Sequence, residues 1–214
     1  MTLPRVGLVL HPQFSPFHFS VPYMVFSIAL PEGPLFELLI ITPDGKPLVS
    51  ERAMTVQPDG GLELLDKVDI AVVPGWHDLN EAPPPELSEA LARCHKRGAH
   101  VVGLCYGTYA LAYAGLLDNK RASTHWLAEQ DFLKRFPQVN LDTNALYVED
   151  DRLVTSAGTA AGLDCCLFLV REYYGARTAN TLARLMVVPP HREGGQAQFI
   201  EQPIAISTQD AHMN

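Results

Sequence analysis

With 214 residues the chain is long enough for one large domain or two small ones, and its 47% hydrophobic share supplies a substantial core. A net charge of −8 excludes the basic footprint that a nucleic-acid-binding surface needs. No apolar run approaches about 18 residues, and Met1-Thr2-Leu3-Pro4-Arg5 carries no signal-type apolar region, so neither membrane insertion nor secretion is expected. The cysteines, Cys94, Cys105, Cys165 and Cys166, show no C-x-x-C spacing, and the adjacent pair is badly placed for an ordinary disulfide. Reduced thiols in a cytoplasmic setting are the expectation.

In chain order, short apolar runs of strand length alternate with longer segments of helical period. That pattern predicts an α/β fold: a mostly parallel central sheet with helices on both faces, a flavodoxin-like three-layer sandwich. Val6–Leu10 reads as the first strand, followed by a loop rich in aromatics, His11 to His18. Phe36–Thr42 and Ile70–Val73 are the next strands, nearly all apolar as strands buried on both faces must be. After Pro83-Pro84-Pro85, Glu86–Arg97 reads as a helix, with Leu87, Leu91 and Cys94 on one face and Gly98 as its C-cap. His100–Leu104 is a fourth strand, and Tyr106–Ala114 a helix ended by Gly115. Thr124 is the expected N-cap of a helix His125–Phe136 that Pro137 stops. A last strand, Arg152–Ser156, precedes a buried helix Gly162–Tyr174. Gly175 separates that helix from Ala176–Met186, and Pro189-Pro190 end the series. One domain over residues 1–199 is expected, with 200–214 as a polar tail or the start of a linker.

The chemistry gathers where Val101-Val102-Gly103-Leu104 runs into Cys105-Tyr106-Gly107. A G-x-C-x-G turn between strand and helix is a nucleophile elbow with sulfur in place of oxygen. Such a turn strains the residue at its tip and lifts the side chain above the sheet. The helix N-terminus behind it favours thiolate over thiol and offers amides to an oxyanion. The alternative is an ordinary buried cysteine. Ligands of open α/β sheets bind beyond the carboxyl ends of the strands, which singles out three segments. Pro74-Gly75-Trp76-His77-Asp78 follows the third strand; Gly75 is either half of an oxyanion hole shared with the Tyr106 amide or a plain turn glycine. The loop after the first strand holds His11 and His18, each a ligand contact or a packed residue. Thr124-His125-Trp126 places a histidine where the fold can bring it toward Cys105. Asp78, Asp118 and Glu63 are possible carboxylates for a triad, and none is singled out. Gly158-Thr-Ala-Ala-Gly162 lacks a phosphate-loop lysine and reads as a closely packed helix start. No zinc-like spacing and no cofactor fingerprint is present, so neither metal nor cofactor is expected.

The elbow, Thr124-His125-Trp126, Leu153 to Asp164 and the run Pro189-Pro-His-Arg-Glu-Gly-Gly-Gln-Ala-Gln-Phe199 together resemble one family. It is the class I glutamine amidotransferase-like (ThiJ/PfpI) sensor domain of AraC-type, GlxA-like transcriptional regulators. The resemblance implies Cys105 as the superfamily cysteine, His125 as its histidine neighbour and Gly75 with Tyr106 as a backbone anion site; Trp76 and His18, at the strand ends, are further candidate ligand contacts. It also implies a small-molecule effector bound near Cys105, a homodimer, and DNA contact only through a C-terminal helix-turn-helix region that would lie beyond Asn214. The other activity it carries is that of a free-standing enzyme, hydratase or hydrolase, using Cys105. A redox or electrophile sensor is a further, weaker reading. His18 stands where many relatives have an acidic residue, which puts proton transfer at the cysteine in doubt, although a charged histidine would hold the sulfur as thiolate.

Overall fold

The computed structural model describes residues 2–189, 192–195 and 198. The expected tail 200–214 and the 199 boundary lie outside the described residues.

Six strands form the main sheet: β1 (Arg5–Val9), β2 (Glu37–Ile41), β3 (Ile70–Val73), β4 (His100–Leu104), β5 (Tyr147–Asp150) and β6 (Leu153–Ser156). Their spatial order is β5-β6-β4-β3-β1-β2, parallel throughout except where β5 pairs antiparallel with β6. Every residue of β3, β4 and β6 is buried, which explains their unbroken apolar reading. Their side chains still alternate between two cores. Leu8, Ile70, Val72, Val102 and Leu104 enter one, while Val9, Ala71, Val73 and Val101 enter the other.

The first core is closed by α1 (Pro16–Ser27) and α5 (Ala160–Leu185), through Phe19, Val25, Phe26, Leu169 and Val170. The second is closed by α2 (Pro85–Lys96), α3 (Gly107–Tyr113) and α4 (Glu129–Arg135), through Leu87, Leu91, Leu111 and Phe132. The three-layer sandwich expected from the sequence is the fold observed.

Four local readings need correction. The loop after β1 becomes α1 at Pro16, whose ring sits in the first turn where its missing N–H costs nothing. Pro22 inside α1 and the run of aromatic and β-branched residues concealed that helix. The helix expected from His125 is a single 3-10 turn, Trp126–Ala128, before α4. Its cap is His125, whose Nδ1 accepts from the Leu127 N–H at 3.3 Å, because Thr124 Oγ1 is committed to the Cys105 carbonyl at 2.9 Å. Strand β5 went unseen: it is only four residues long and its outer half, Glu149-Asp150, is charged. Gly175, by contrast, does break α5, with φ 80° and ψ 170°.

Candidate functional site

From β1 the chain crosses to β2 on one side and returns to β3 on the other, so the carboxyl ends of β1 and β3 diverge. Ligands of doubly wound sheets occupy that crevice. Here it holds a cavity of about 370 Å³. Its walls are His11 to His18 after β1, Pro74 to His77 after β3, and Cys105 and Tyr106 after β4, with Glu51 at the rim. Six sequence-predicted positions, Cys105, Tyr106, Gly75, Trp76, His18 and His11, therefore meet in one place.

Cys105 sits at φ 55°, a left-handed conformation that is strained for a residue with a Cβ. Several contacts hold it there. Its N–H donates to Ser156 O at 2.9 Å, and its carbonyl accepts from Thr124 Oγ1 at 2.9 Å and Thr108 N at 3.3 Å. Gly107 lets the turn close, since a Cβ there would stand 2.1 Å from Val73 O. Gly158, at φ 76°, lies against the cysteine so closely that a Cβ would fall 2.0 Å from Cys105 Cβ. This is the nucleophile elbow in full.

Its charge state differs from the expectation. Cys105 is only 4% exposed, and burial pushes the thiol up to about 11 against the lowering effect of the Tyr106 amide. A seven-residue helix behind the turn does not offset that desolvation. At neutral pH the group is a thiol.

His18 does not supply a compensating charge. Its Nε2 accepts the Thr159 N–H at 3.2 Å, which requires a lone pair on that nitrogen. Burial first, and repulsion from His125 second, lower its pKa. The reading of His18 as a cation holding a thiolate is thereby overturned.

His125 stands apart from these six. Its ring meets Tyr106 edge to face at 6.0 Å and stacks on Trp126 at 5.9 Å. It lines a second, smaller cavity of about 140 Å³, together with Gly158, Thr159, Arg192 and Gln198. With Nδ1 capping the Leu127 amide, it is placed by its own turn. The carboxylates considered from sequence are elsewhere: Glu63 accepts from Gly61 N at 3.0 Å, Asp78 binds the amide of Asn80 at 2.8 Å, and Asp118 is absent from the cavity lining.

Trp76 is buried, its Nε1 donating to Glu81 O at 2.7 Å. Its ring packs 4.8 Å from that of His11, which stacks on His77 at 5.2 Å. His11 is 4% exposed and donates from Nδ1 to Pro12 O at 2.9 Å. Burial holds its pKa at about 4, so it is neutral. His11 was legible as a strand-end residue. Glu51 was not, because it enters from a turn between two short paired segments, Leu48–Val49 and Thr55–Val56.

A doubly wound α/β domain with a strained cysteine elbow over its switch-point cavity defines the cysteine-elbow class of this fold. Within it, the chain belongs to the DJ-1/PfpI family, whose model matches residues 4–172. The HTH-type transcriptional regulator CdhR of Pseudomonas aeruginosa is 32% identical over 154 residues, 72% of this chain and 46% of that protein. The isonitrile hydratase of Pseudomonas putida is 30% identical over 177 residues, 82% of this chain and 75% of the enzyme. Among solved structures, an AraC family transcriptional regulator from Pseudomonas putida superposes with a TM-score of 0.75 at 25% identity, covering 86% of this chain and 99% of that one. The chain spans less than half the length of the first regulators it matches. Among the described residues no helix is long and apolar enough to cross a membrane.

Proposed function

We propose that this chain is the ligand-sensing and dimerisation part of an AraC-type transcriptional regulator of the cytoplasm, taking a small metabolite in the Cys105 cavity. DNA would be contacted through a helix-turn-helix region supplied elsewhere in the regulator, since the net charge of −8 suits a sensor and not a DNA-binding surface. Ligand binding would then shift the balance between arrangements of a homodimer. The observation that carries this reading is the site's chemical state. The cavity is formed and lined by aromatic rings, yet its cysteine is a neutral thiol, and His18, in place of an acid, is engaged by the Thr159 amide. A site in that state favours binding over nucleophilic attack. The similarity to several HTH-type regulators supports it.

The test is thermal unfolding of the chain against a panel of small polar metabolites. A ligand present at about 100 times its Kd stabilises by about 2.7 kcal/mol. Gly75→Leu, whose Cβ would meet nothing closer than His18 Cβ at 4.0 Å, fills the cavity and is expected to abolish the shift. Cys105→Ala is expected to keep it. A second reading, a cysteine-dependent hydratase, is favoured by the 82% of this chain that aligns with the isonitrile hydratase. Turnover of an isonitrile that Cys105→Ala eliminates would establish that reading and displace the first.

A further inference from the structure

Beyond the Cys105 cavity, the described residues that follow α5 form a strap across the second cavity. Arg192 is pinned to the nearly buried carboxylate of Asp164 by two hydrogen bonds, Nε to Oδ1 at 2.9 Å and Nη2 to Oδ2 at 2.5 Å. The Gly194 carbonyl accepts from the Leu146 amide, and Tyr147 Oη donates to Arg192 O at 3.2 Å. Gly194 runs so close to β5 that a Cβ there would stand 2.4 Å from Tyr147 O. Gln198 then brackets His125. Its Oε1 accepts from Trp126 N at 3.0 Å, and its Nε2 donates to Thr124 O at 2.9 Å and Ala145 O at 3.2 Å. One side-chain amide thus fixes the backbone on both sides of the histidine, and Thr124 in turn holds the Cys105 carbonyl.

Gly158 and Thr159, in the lining of the second cavity, touch residues that line the first. Gly158 rests on the Cys105 side chain, and Thr159, at φ 46° and ψ −126°, hands its N–H to His18 in the first cavity. The same two residues line the second cavity together with Gln198 and Arg192. Close-packed walls of this kind transmit a displacement and do not absorb it.

We propose that Gln198 is a positioning residue of the Cys105 site, and that the strap it belongs to carries the occupancy of that site to whatever follows residue 198. The proposal rests on the sensor reading above and names its output path. A group placed on or beside Cys105 displaces Gly158–Thr159. That displacement reaches Gln198 and Arg192 across the second cavity, and the clamp on Thr124–Trp126 loosens. By linkage, releasing the clamp must alter the cysteine.

The amides of Trp126 and Leu146 report the clamp and the strap directly, since Gln198 and Gly194 are their acceptors. Hydrogen exchange would be followed by mass spectrometry on the full chain, unlabelled and with Cys105 converted at pH 9 to its methyl disulfide by methyl methanethiosulfonate. Both amides are expected to exchange about three- to tenfold faster in the labelled protein, the worth of one hydrogen bond, while amides of β3 and β4 stay protected. His18→Ala removes the acceptor of Thr159 and is expected to act in the same direction without a label. Gln198→Ala should remove the acceptor of the Trp126 amide and change the rate of Cys105 labelling, and Gln198→Glu, which sets a carboxylate oxygen against the Thr124 and Ala145 carbonyls that now accept from Nε2, should act in the same direction. Unchanged Trp126 and Leu146 exchange in both the labelled protein and His18→Ala would overturn the coupling. Unchanged Cys105 labelling in Gln198→Ala would reduce Gln198 to a structural residue. None of these readouts requires a natural ligand, so an empty metabolite screen defeats the sensor reading without touching this result.

Discussion

The neutral thiol at Cys105 makes a quantitative prediction for its reactivity. Moving the pKa from 9.0 to about 11 lowers the thiolate population about a hundredfold at any pH well below both values. A more basic thiolate is also a better nucleophile, by about 0.4–0.5 log units per pKa unit, which returns a little under tenfold. The expected outcome at pH 8 is alkylation by iodoacetamide about tenfold slower than a free cysteine, before any steric slowing in the cavity. The logarithm of the rate should climb with a slope of one per pH unit up to about 11. The assay is peptide-resolved mass spectrometry across pH 6–11, with Cys105→Ser to assign the signal. Cys94, Cys165 and Cys166 are fully buried away from the cavity and should label only on unfolding. A rate that levels off below pH 9 would refute the argument, because it would mean that the helix N-terminus and the Tyr106 amide outweigh burial.

Three further outcomes follow from the geometry. Gly158→Ala places a methyl 2.0 Å from Cys105 Cβ in a left-handed backbone, and should cost about 2–4 kcal/mol in urea unfolding from overpacking and strain. Phe132→Ala opens a hole at a fully buried position and should cost about 3–5 kcal/mol by the same measurement. His11 has a folded pKa of about 4 against an ordinary 6.5, so the unfolded chain binds more protons between those values. Its share of stability is complete above pH 6.5 and falls as pH drops toward 4, by up to about 3 kcal/mol. Urea midpoints of wild type and His11→Asn should therefore converge as pH falls through that window, and parallel curves would contradict the assignment.

The layered fold was legible because β3, β4 and β6 are short, fully buried and apolar, so their burial and their composition carry the same message. The elbow was legible for a local reason: Gly103, Cys105 and Gly107 satisfy steric demands within five residues. Elements whose cause is tertiary were not legible. Helix α1 has aromatic and proline residues of poor helical propensity and forms because Phe19, Val25 and Phe26 find a core between β1 and α5. Glu51 reaches the cavity rim only through the fold of its turn, and nothing in its neighbours announces it.

The charge of the cysteine was the largest misreading, and its cause is instructive. A helix N-terminus stabilises an anion by its dipole over the first turn, an effect of about 0.3–1 kcal/mol at exposed sites. Desolvation of a nearly enclosed thiol acts on the same group in the opposite sense, and a rise from 9.0 to about 11 corresponds to about 3 kcal/mol. The sequence places the dipole, since the strand–turn–helix order is local. It does not place Gly158, which comes in two residues before α5 and packs against the Cys105 side chain. Gly158 both packs on the buried Cys105 and lines the second cavity, so one of the contacts that encloses the thiol is also the first step of the proposed path to the strap.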